Sequence, residues 1–380
     1  TTGEGKESVN EANDYVKNHT FYCDETGARV EGAWVKDTKP GTDDDDADAD
    51  EYWYYLKKAT GKPATGKQSN ISGQIYLFNE VGQMQYGWVA ETRTYSTDSN
   101  ATKDYTSNYY QLDKEDDVKK MEEAQYDVYY CGDEDDGHAK KNKWLKYWLP
   151  QDTDTEEEDD KVWFWFDKNG KLFRTSTGSD AIKYKLEEGK LVVDKESYGV
   201  DKKKVNSKDY YFDHNGVMLS KFYLIGDDMF YFGGSDDGSM KTGSQSVKDN
   251  TGDTCKFYFY TKDQYGHKKG AGVIGNQSNK LYYYGLQIQA DDYKYQIATI
   301  TVEENGKDVD YNFIVNSNGT IQHSANTDYK EDGTSLIKTA KDCKFETADG
   351  QFKYSIKDMT KITKGDVSDV VLDDFIDLVK

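Results

Sequence analysis

One local pattern recurs along this chain and limits what it can fold into: a short run of aromatic and β-branched residues, a polar turn, then a glycine. Aligned on the last residue of each run, Cys23, Phe78, Phe166, Phe212 and Val315 precede Gly27, Gly82, Gly170, Gly216 and Gly319 by four positions. Leu56 precedes Gly61 by five, and Cys131, Phe232 and Tyr260 precede Gly137, Gly238 and Gly266 by six. Such runs favour a pleated, half-buried surface, and glycine supplies the left-handed backbone that a tight turn needs. Asn169-Gly170, Asn215-Gly216 and Asn318-Gly319 are strong hairpin signals. One apolar residue returns after the turn, as at Met84, Leu172, Met218, Met240 and Ile321, and reads as the second strand of a hairpin.

A lone two-stranded hairpin cannot bury its aromatic face in water. Stacking hairpins on one another makes a continuous core, so the expected fold is mainly β: an irregular, solenoid-like array of stacked β-hairpin repeats. Uneven glycine spacing implies insertions. The largest covers about residues 91–126, where LDKEDDVKKMEEAQY (residues 112–126) predicts a short helix near 111–125. Lys143–Leu149 reads as a strand or a helical turn, and VSDVVLDDFIDLVK at the C-terminus predicts a short helix. The expected organisation is N-terminal repeats with the helical insertion over 1–150, further repeats over 151–340 and a helical cap over 341–380, as one continuous elongated unit.

Composition fits thin cores. Only 35% of the 380 residues are hydrophobic, yet 14% are aromatic, including 32 Tyr and 7 Trp. Tyr and Trp join an apolar body to a polar tip and serve half-wet cores and ligand surfaces alike. Net charge is −22, and two runs, Asp43 to Glu51 and Asp152 to Asp160, each hold seven carboxylates in nine residues. That balance disfavours nucleic acid and anionic membranes as partners. Neither run has the spacing of a calcium loop, so both read as solvated loops. Cys23, Cys131, Cys255 and Cys343 lie far apart with no paired motif, which predicts free, mostly buried thiols and no zinc site. No apolar run is long enough to span a membrane. The chain opens Thr1-Thr2-Gly3 without a start Met or a signal peptide, which leaves its compartment open.

The stretches DYYFDHNGVMLSKFYLIGDDMFYF, VWFWFDKNGKLFRTSTG, YWYYLKKATGKPATG and IYLFNEVGQMQYGWV resemble the cell-wall-binding or glucan-binding repeats of Gram-positive surface proteins. Those repeats are similar in turn to choline-binding modules and to the repetitive receptor-binding regions of large clostridial toxins. The resemblance covers most of residues 20–325. It implies stacked hairpins, no cofactor, and extracellular recognition of carbohydrate or wall polymer without catalysis. In choline-binding members a Gly-Trp after the hairpin helps to wall an aromatic cage for a quaternary ammonium. This chain keeps a version at Gly32-Ala33-Trp34 and at Gly87-Trp88, and lacks it after Gly170, Gly216, Gly238 and Gly266. The departure puts choline behind a neutral α-glucan such as starch, bound by ring stacking and hydroxyl hydrogen bonds. The acidic, Tyr- and Lys-rich, Arg-poor composition is also similar to starch-adherence proteins of gut Firmicutes. The expected setting is a secreted or cell-surface protein, as part of a larger multidomain chain.

The candidate binding residues follow from strand alternation and the family frame. Trp163 and Trp165 share one face of VWFWF, with Phe164 and Phe166 on the other. One face must be core; the other is a candidate sugar platform. Arg174 follows that hairpin and could hold a hydroxyl pair. Trp144 and Trp148 share a face if their stretch is helical, and serve as platform or as cover for the stack. Trp88 holds the Gly-Trp position and is the candidate retained recognition residue, packing being the other role open to it. Trp53 matches Trp163 in the frame and reads as repeat core. The five His are scattered and form no catalytic signature, so an enzyme is not expected. The alternatives are a wall anchor for choline or teichoic polymer, and a structural or adhesin stalk in which every aromatic is core.

Overall fold

The computed structural model describes residues 21–40, 49–95, 105–112, 127–150, 161–175, 179–188, 190–193 and 198–365. The helices expected within 111–125 and near the C-terminus, and the second acidic run, lie essentially outside these residues. Contacts divide the chain into two compact units, Thr1–Ser176 with His214–Met218, and Thr177–Asp213 with Leu219–Lys380.

The first unit is a stack of antiparallel hairpins. Hairpin A pairs β1 (Ala33–Thr38) with β2 (Glu51–Leu56), and hairpin B pairs β3 (Gly66–Ile71) with β4 (Gln74–Phe78). In hairpin C, β5 (Trp88–Tyr95) pairs with both β6 (Tyr105–Gln111) and β7 (Val128–Tyr130). Hairpin D pairs β8 (Lys143–Tyr147) with β9 (Val162–Phe166), so the Trp144 stretch is a strand.

The aromatic run therefore pairs mainly with the strand before it. After the glycine turn the chain makes a single bridge, Phe78 to Met84 or Phe166 to Leu172, where the sequence suggested a full second strand. The reason is that the returning residue spends its N–H on the preceding hairpin. Met84 N donates to Trp53 O at 2.8 Å, Ala139 N to Ile75 O at 2.8 Å, Leu172 N to Val128 O at 2.7 Å and Met218 N to Trp163 O at 2.9 Å. Each acceptor lies three residues before the end of its aromatic run.

The turns themselves are built by one side chain. Asn79 Oδ1 accepts from Val81 N and Gln83 N at 3.2 and 2.9 Å, while Asn79 O accepts from Gly82 N at 3.2 Å. Asp24, Asp167 and Asn316 do the same in their turns, as does Asp249 in a turn that the aromatic frame did not mark. All nine glycines of the frame have positive φ, from 59° to 94°. At Gly82 (φ +94°) the absent side chain has a second use: a Cβ there would lie 2.8 Å from Pro63 Cβ of the previous hairpin. The same contact recurs between Gly137 and Met84, Gly170 and Ala139, and Gly216 and Leu172.

Hairpins B and C thus present opposite faces to their two neighbours. Trp53 and Tyr55 of A meet Tyr76 and Phe78 of B; Ile75 and Leu77 of B meet Tyr129 and Cys131 of C; Val128 and Tyr130 of C meet Phe164 and Phe166 of D.

In the second unit the hairpins merge into wider sheets. One sheet runs β13 (Lys208–Asp213), β12 (Tyr198–Val205), β10 (Ser179–Glu187), β14 (Phe222–Ile225), β15 (Asp228–Tyr231), with β11 (Lys190–Val193) also on β10. A second runs β16 (Gly243–Lys248), β17 (Thr254–Phe259), β20 (Leu286–Ile288), β19 (Lys280–Tyr283), β18 (Gly275–Gln277). Two three-stranded sheets follow, of β21 (Tyr295–Glu304), β22 (Lys307–Asn316) and β23 (Ile321–Gln322), then β24 (Asp328–Glu331), β25 (Thr334–Thr339) and β26 (Ile362–Lys364). A core shared by the first three of these sheets joins Phe222, Phe257, Phe259, Leu281, Ile300 and Phe313. Cys131 and Cys343 are buried, Cys255 is half-buried and Cys23 is exposed; all four are free thiols.

Two predictions follow from this packing. Gly82→Ala meets both a left-handed backbone and the Pro63 ring, and should cost about 2–4 kcal/mol. Gly73→Ala (φ +78°, nothing within 4 Å) should cost only about 1–2 kcal/mol, a difference that urea unfolding resolves. Burial also pushes the phenols of Tyr54, Tyr211 and Tyr260 up to about 12 from an ordinary 10.0. The folded chain then holds these protons more tightly than the unfolded chain, so this contribution to stability is complete below pH 10 and lost as pH rises to about 12. Stability measured across that range should fall while phenolate absorbance lags behind that of free tyrosine.

Candidate functional site

The position that matters is the edge of each hairpin interface. Four residues meet there: one from the first strand of a hairpin, one three residues before the end of its aromatic run, one from the next run, and the returning residue.

At the A/B interface these are Trp34, Trp53, Tyr76 and Met84. Trp34 stands opposite Tyr55 in the ladder, and Lys36 opposite Trp53. The Trp34 and Trp53 rings lie 6.5 Å apart at 86°, and Trp34 and Tyr76 lie 4.8 Å apart at 61°. With Asp135 and Asp136 they line a cavity of about 210 Å³. The three rings are half-buried and Met84 is buried. Trp53 Nε1 donates to Asp135 Oδ1 at 3.2 Å, which fixes the indole. Asp136 is held by His138 Nδ1. Burial, then the Asp136 charge, raises the Tyr76 phenol above its ordinary value, so it is neutral at physiological pH. Lys36 lies at the rim, its Nζ 5.8 Å from the Trp53 ring centroid, 3.4 Å from Glu134 and 3.8 Å from Asp135.

Perpendicular electron-rich ring faces, a thioether and nearby carboxylates are the groups that can hold a small organic cation. The volume is below the roughly 300–1,000 Å³ of pockets for drug-sized ligands, so it suits a headgroup better than a sugar chain.

The other interfaces show what this position becomes when its residues change. At B/C, Lys67 replaces the tryptophan: its ammonium lies 4.7 Å from the Tyr129 ring centroid and donates to Asn169 O at 2.6 Å. Ile75 and Ala139 complete the set, and burial lowers the Lys67 pKa. The chain supplies its own cation to that ring. At C/D, Trp88 packs edge-on to Phe164 at 4.9 Å and Tyr130 at 5.3 Å; it is 3% exposed, and its Nε1 donates to Trp148 O at 3.0 Å. Trp88 is therefore core, the packing role open to it from the sequence.

The Trp163–Trp165 face of D repeats hairpin A. Trp144 meets Trp163 at 6.3 Å and 87°, and Trp165 at 5.2 Å and 61°; in A the corresponding values are 6.5 Å and 86°, and 5.2 Å and 60°. Lys146 stands 6.0 Å over Trp163, as Lys36 does over Trp53. So the structure groups Trp144, Trp163 and Trp165. Trp165 is only 8% exposed. It leaves Trp148 apart, packed on Tyr147 at 5.0 Å with Lys161 Nζ 4.1 Å over its ring. Arg174 is half-buried, 3.5 Å from His214 O, and burial lowers its pKa. Trp34, Trp53, Tyr76 and Met84 were not picked from sequence as a set. The Gly-Trp signal marked Trp34, but its partners come from the second strand of its own hairpin, from the next hairpin and from loop residues after Cys131.

No family model matches the chain, and no curated protein matches it. Solved structures do. The chain is similar to CbpJ from Streptococcus pneumoniae at 18% identity over 80% of this chain and 98% of that one, with a TM-score of 0.21. It is similar to choline binding protein F from Streptococcus pneumoniae at 21% identity over 75% and 93%, TM-score 0.19. It is similar to ASR alternansucrase in complex with isomaltononaose at 16% identity, covering 71% of this chain and 19% of that one, TM-score 0.18. A choline-binding protein is among the solved structures to which the chain is similar, in line with the sequence resemblance. Residue roles here come from the chain's own geometry.

Trp88→Ala should destabilise by about 3–5 kcal/mol, as a buried Trp does. Trp53→Ala, at an open rim, should cost clearly less, a contrast that thermal unfolding checks.

Proposed function

We propose that this chain is a non-catalytic recognition module for a cell-surface polymer, and that the Trp34–Trp53–Tyr76–Met84 cage holds an alkylammonium headgroup such as choline on that polymer. The observation that carries the reading is the cage itself, read beside the next interface, where Lys67 places an ammonium on the ring of Tyr129. The Trp144–Trp163–Trp165 group offers a second aromatic set of the same geometry. Such a ligand lies outside the cell, and among the described residues no helix is long and apolar enough to cross a membrane.

An α-glucan on Trp163 and Trp165 draws less from this arrangement. Trp165 is buried, the rings meet edge to face, and Lys146 lies over Trp163; stacking on a sugar needs a flat, open ring. Starch is therefore the comparison arm.

Choline-derivatised resin should retain the protein and free choline should elute it, with weaker retention on starch and dextran. Trp34→Ala or Trp53→Ala should each remove a desolvated cation–π contact of about 2 kcal/mol, roughly thirtyfold in affinity. Lys36→Gln should tighten choline by removing a resident cation from the same ring and from Asp135. Passage through choline resin, or equal retention by the two Trp variants, would sink the cage assignment. Release of reducing ends from glucans would overturn the non-catalytic reading.

A further inference from the structure

A separate cavity in the second unit, about 750 Å³, is lined where hairpin turns converge. Tyr265-Gly266 forms one turn, Tyr284-Gly285 joins β19 to β20, Asp227 follows Gly226 between β14 and β15, and Glu303, Glu304 and Asp308 flank the β21–β22 turn. Gln351, Phe352 and His267 complete the wall.

The two tyrosines are out of place by turn chemistry. Tyr265 (φ +53°) and Tyr284 (φ +46°) each precede a positive-φ glycine, at the first position of a two-residue turn with left-handed backbone. Elsewhere among the described residues that position in strand-linking turns is held by Ser72, Glu188, Asn206, Gly226, Ser278, Asn305 or Asp332, none of them aromatic and most of them small residues that tolerate it. A bulky ring there is a local cost, and both instances line this one cavity. Tyr265 is 47% exposed, so its ring is not retained to fill a core.

The support beneath is rigid. His267 Nδ1 bonds Asp228 Oδ1 at 2.6 Å, and the His267 ring stacks on Tyr260 at 5.5 Å and 12°. Phe352 stacks on Tyr311 at 3.8 Å and 12°. A Cβ on Gly272 would collide with the Tyr284 backbone, so that turn is pinned. Burial raises the Tyr284 phenol, with Asp227 and Asp228 adding to the rise, which puts those charges beside the ring.

Five carboxylates line the space, and no Lys or Arg among the described residues does. Two have partners: Asp228 accepts from His267, and Glu304 accepts from Tyr311 OH at 2.7 Å. Asp227, Glu303 and Asp308 are exposed. Aromatic rings among acceptors of this sign fit a pyranose that carries positive charge; a phosphate-bearing polymer is repelled and a neutral glucan leaves the carboxylates without a counter-charge. We propose that this cavity binds an oligosaccharide of amino sugars with free ammonium groups, the sugar faces lying on Tyr265 and Tyr284 and an ammonium among Asp227, Glu303 and Asp308. The assignment stands on the second unit alone and does not rest on the cage.

The test is calorimetric titration of the full chain with short glucosamine oligomers and with the same oligomers N-acetylated, at a pH where the sugar amine is protonated. The free-amine oligomer should bind at least tenfold more tightly, and added salt should weaken it. Tyr265→Gly removes the ring while placing the residue that the turn prefers, so its thermal midpoint should hold or rise while affinity falls at least tenfold. Asp227→Asn should weaken the amine form selectively. Trp53→Ala should leave this binding intact. No binding of the free-amine oligomer, equal affinity for the acetylated one, wild-type affinity in Tyr265→Gly, or loss in Trp53→Ala would each overturn the proposal.

Discussion

The first unit depends on a contact with no side chain on one side of it. At each turn a glycine with left-handed backbone lies against the residue that the previous hairpin sent back: Gly82 on Pro63, Gly137 on Met84, Gly170 on Ala139, Gly216 on Leu172. Except at Pro63, which has no N–H, the returning residue also donates its N–H to the earlier aromatic run. These two interactions set the distance and the register between neighbours. A hairpin held so closely must share its rings with the next one, which is how a chain with few aliphatic residues obtains a core.

That repeat also makes sites inexpensive to vary. The four residues at the edge of an interface occupy equivalent places whatever their identity. With Trp, Trp, Tyr and Met the edge is a cage; with Lys67, Ile75, Tyr129 and Ala139 it is filled from within; with Trp88, Val128, Phe164 and Leu172 it is a dry core. The scaffold is constant, and three substitutions decide between ligand and packing.

Much of the fold was legible because its signals are local. The turn glycines, the Asx residues that precede several of them, and the β character of the runs all depend on neighbours a few positions away. Asp249 escaped notice because its run ends at Lys248, where no aromatic residue marks the strand. The pairing of each aromatic run with its preceding strand was less visible, since the connecting loops of hairpins A, C and D are long and the return after the glycine is short. In the second unit β10 takes both β12 and β14 as partners, a choice made by edge availability that no turn motif announces.

The sequence by itself determined that hairpins would form, where they would turn, and that they must lean on one another, because turn geometry and strand propensity act over a few residues and an isolated hairpin leaves its rings wet. Only the tertiary structure decided which rings are buried. Trp34 and Trp88 carry the same Gly-Trp signal along the chain, yet Trp88 is sealed by Phe164 and the Trp148 carbonyl while Trp34 is half-buried and lines the cage. Burial depends on what the next hairpin and its loops bring to the same place, and those residues lie tens of positions away.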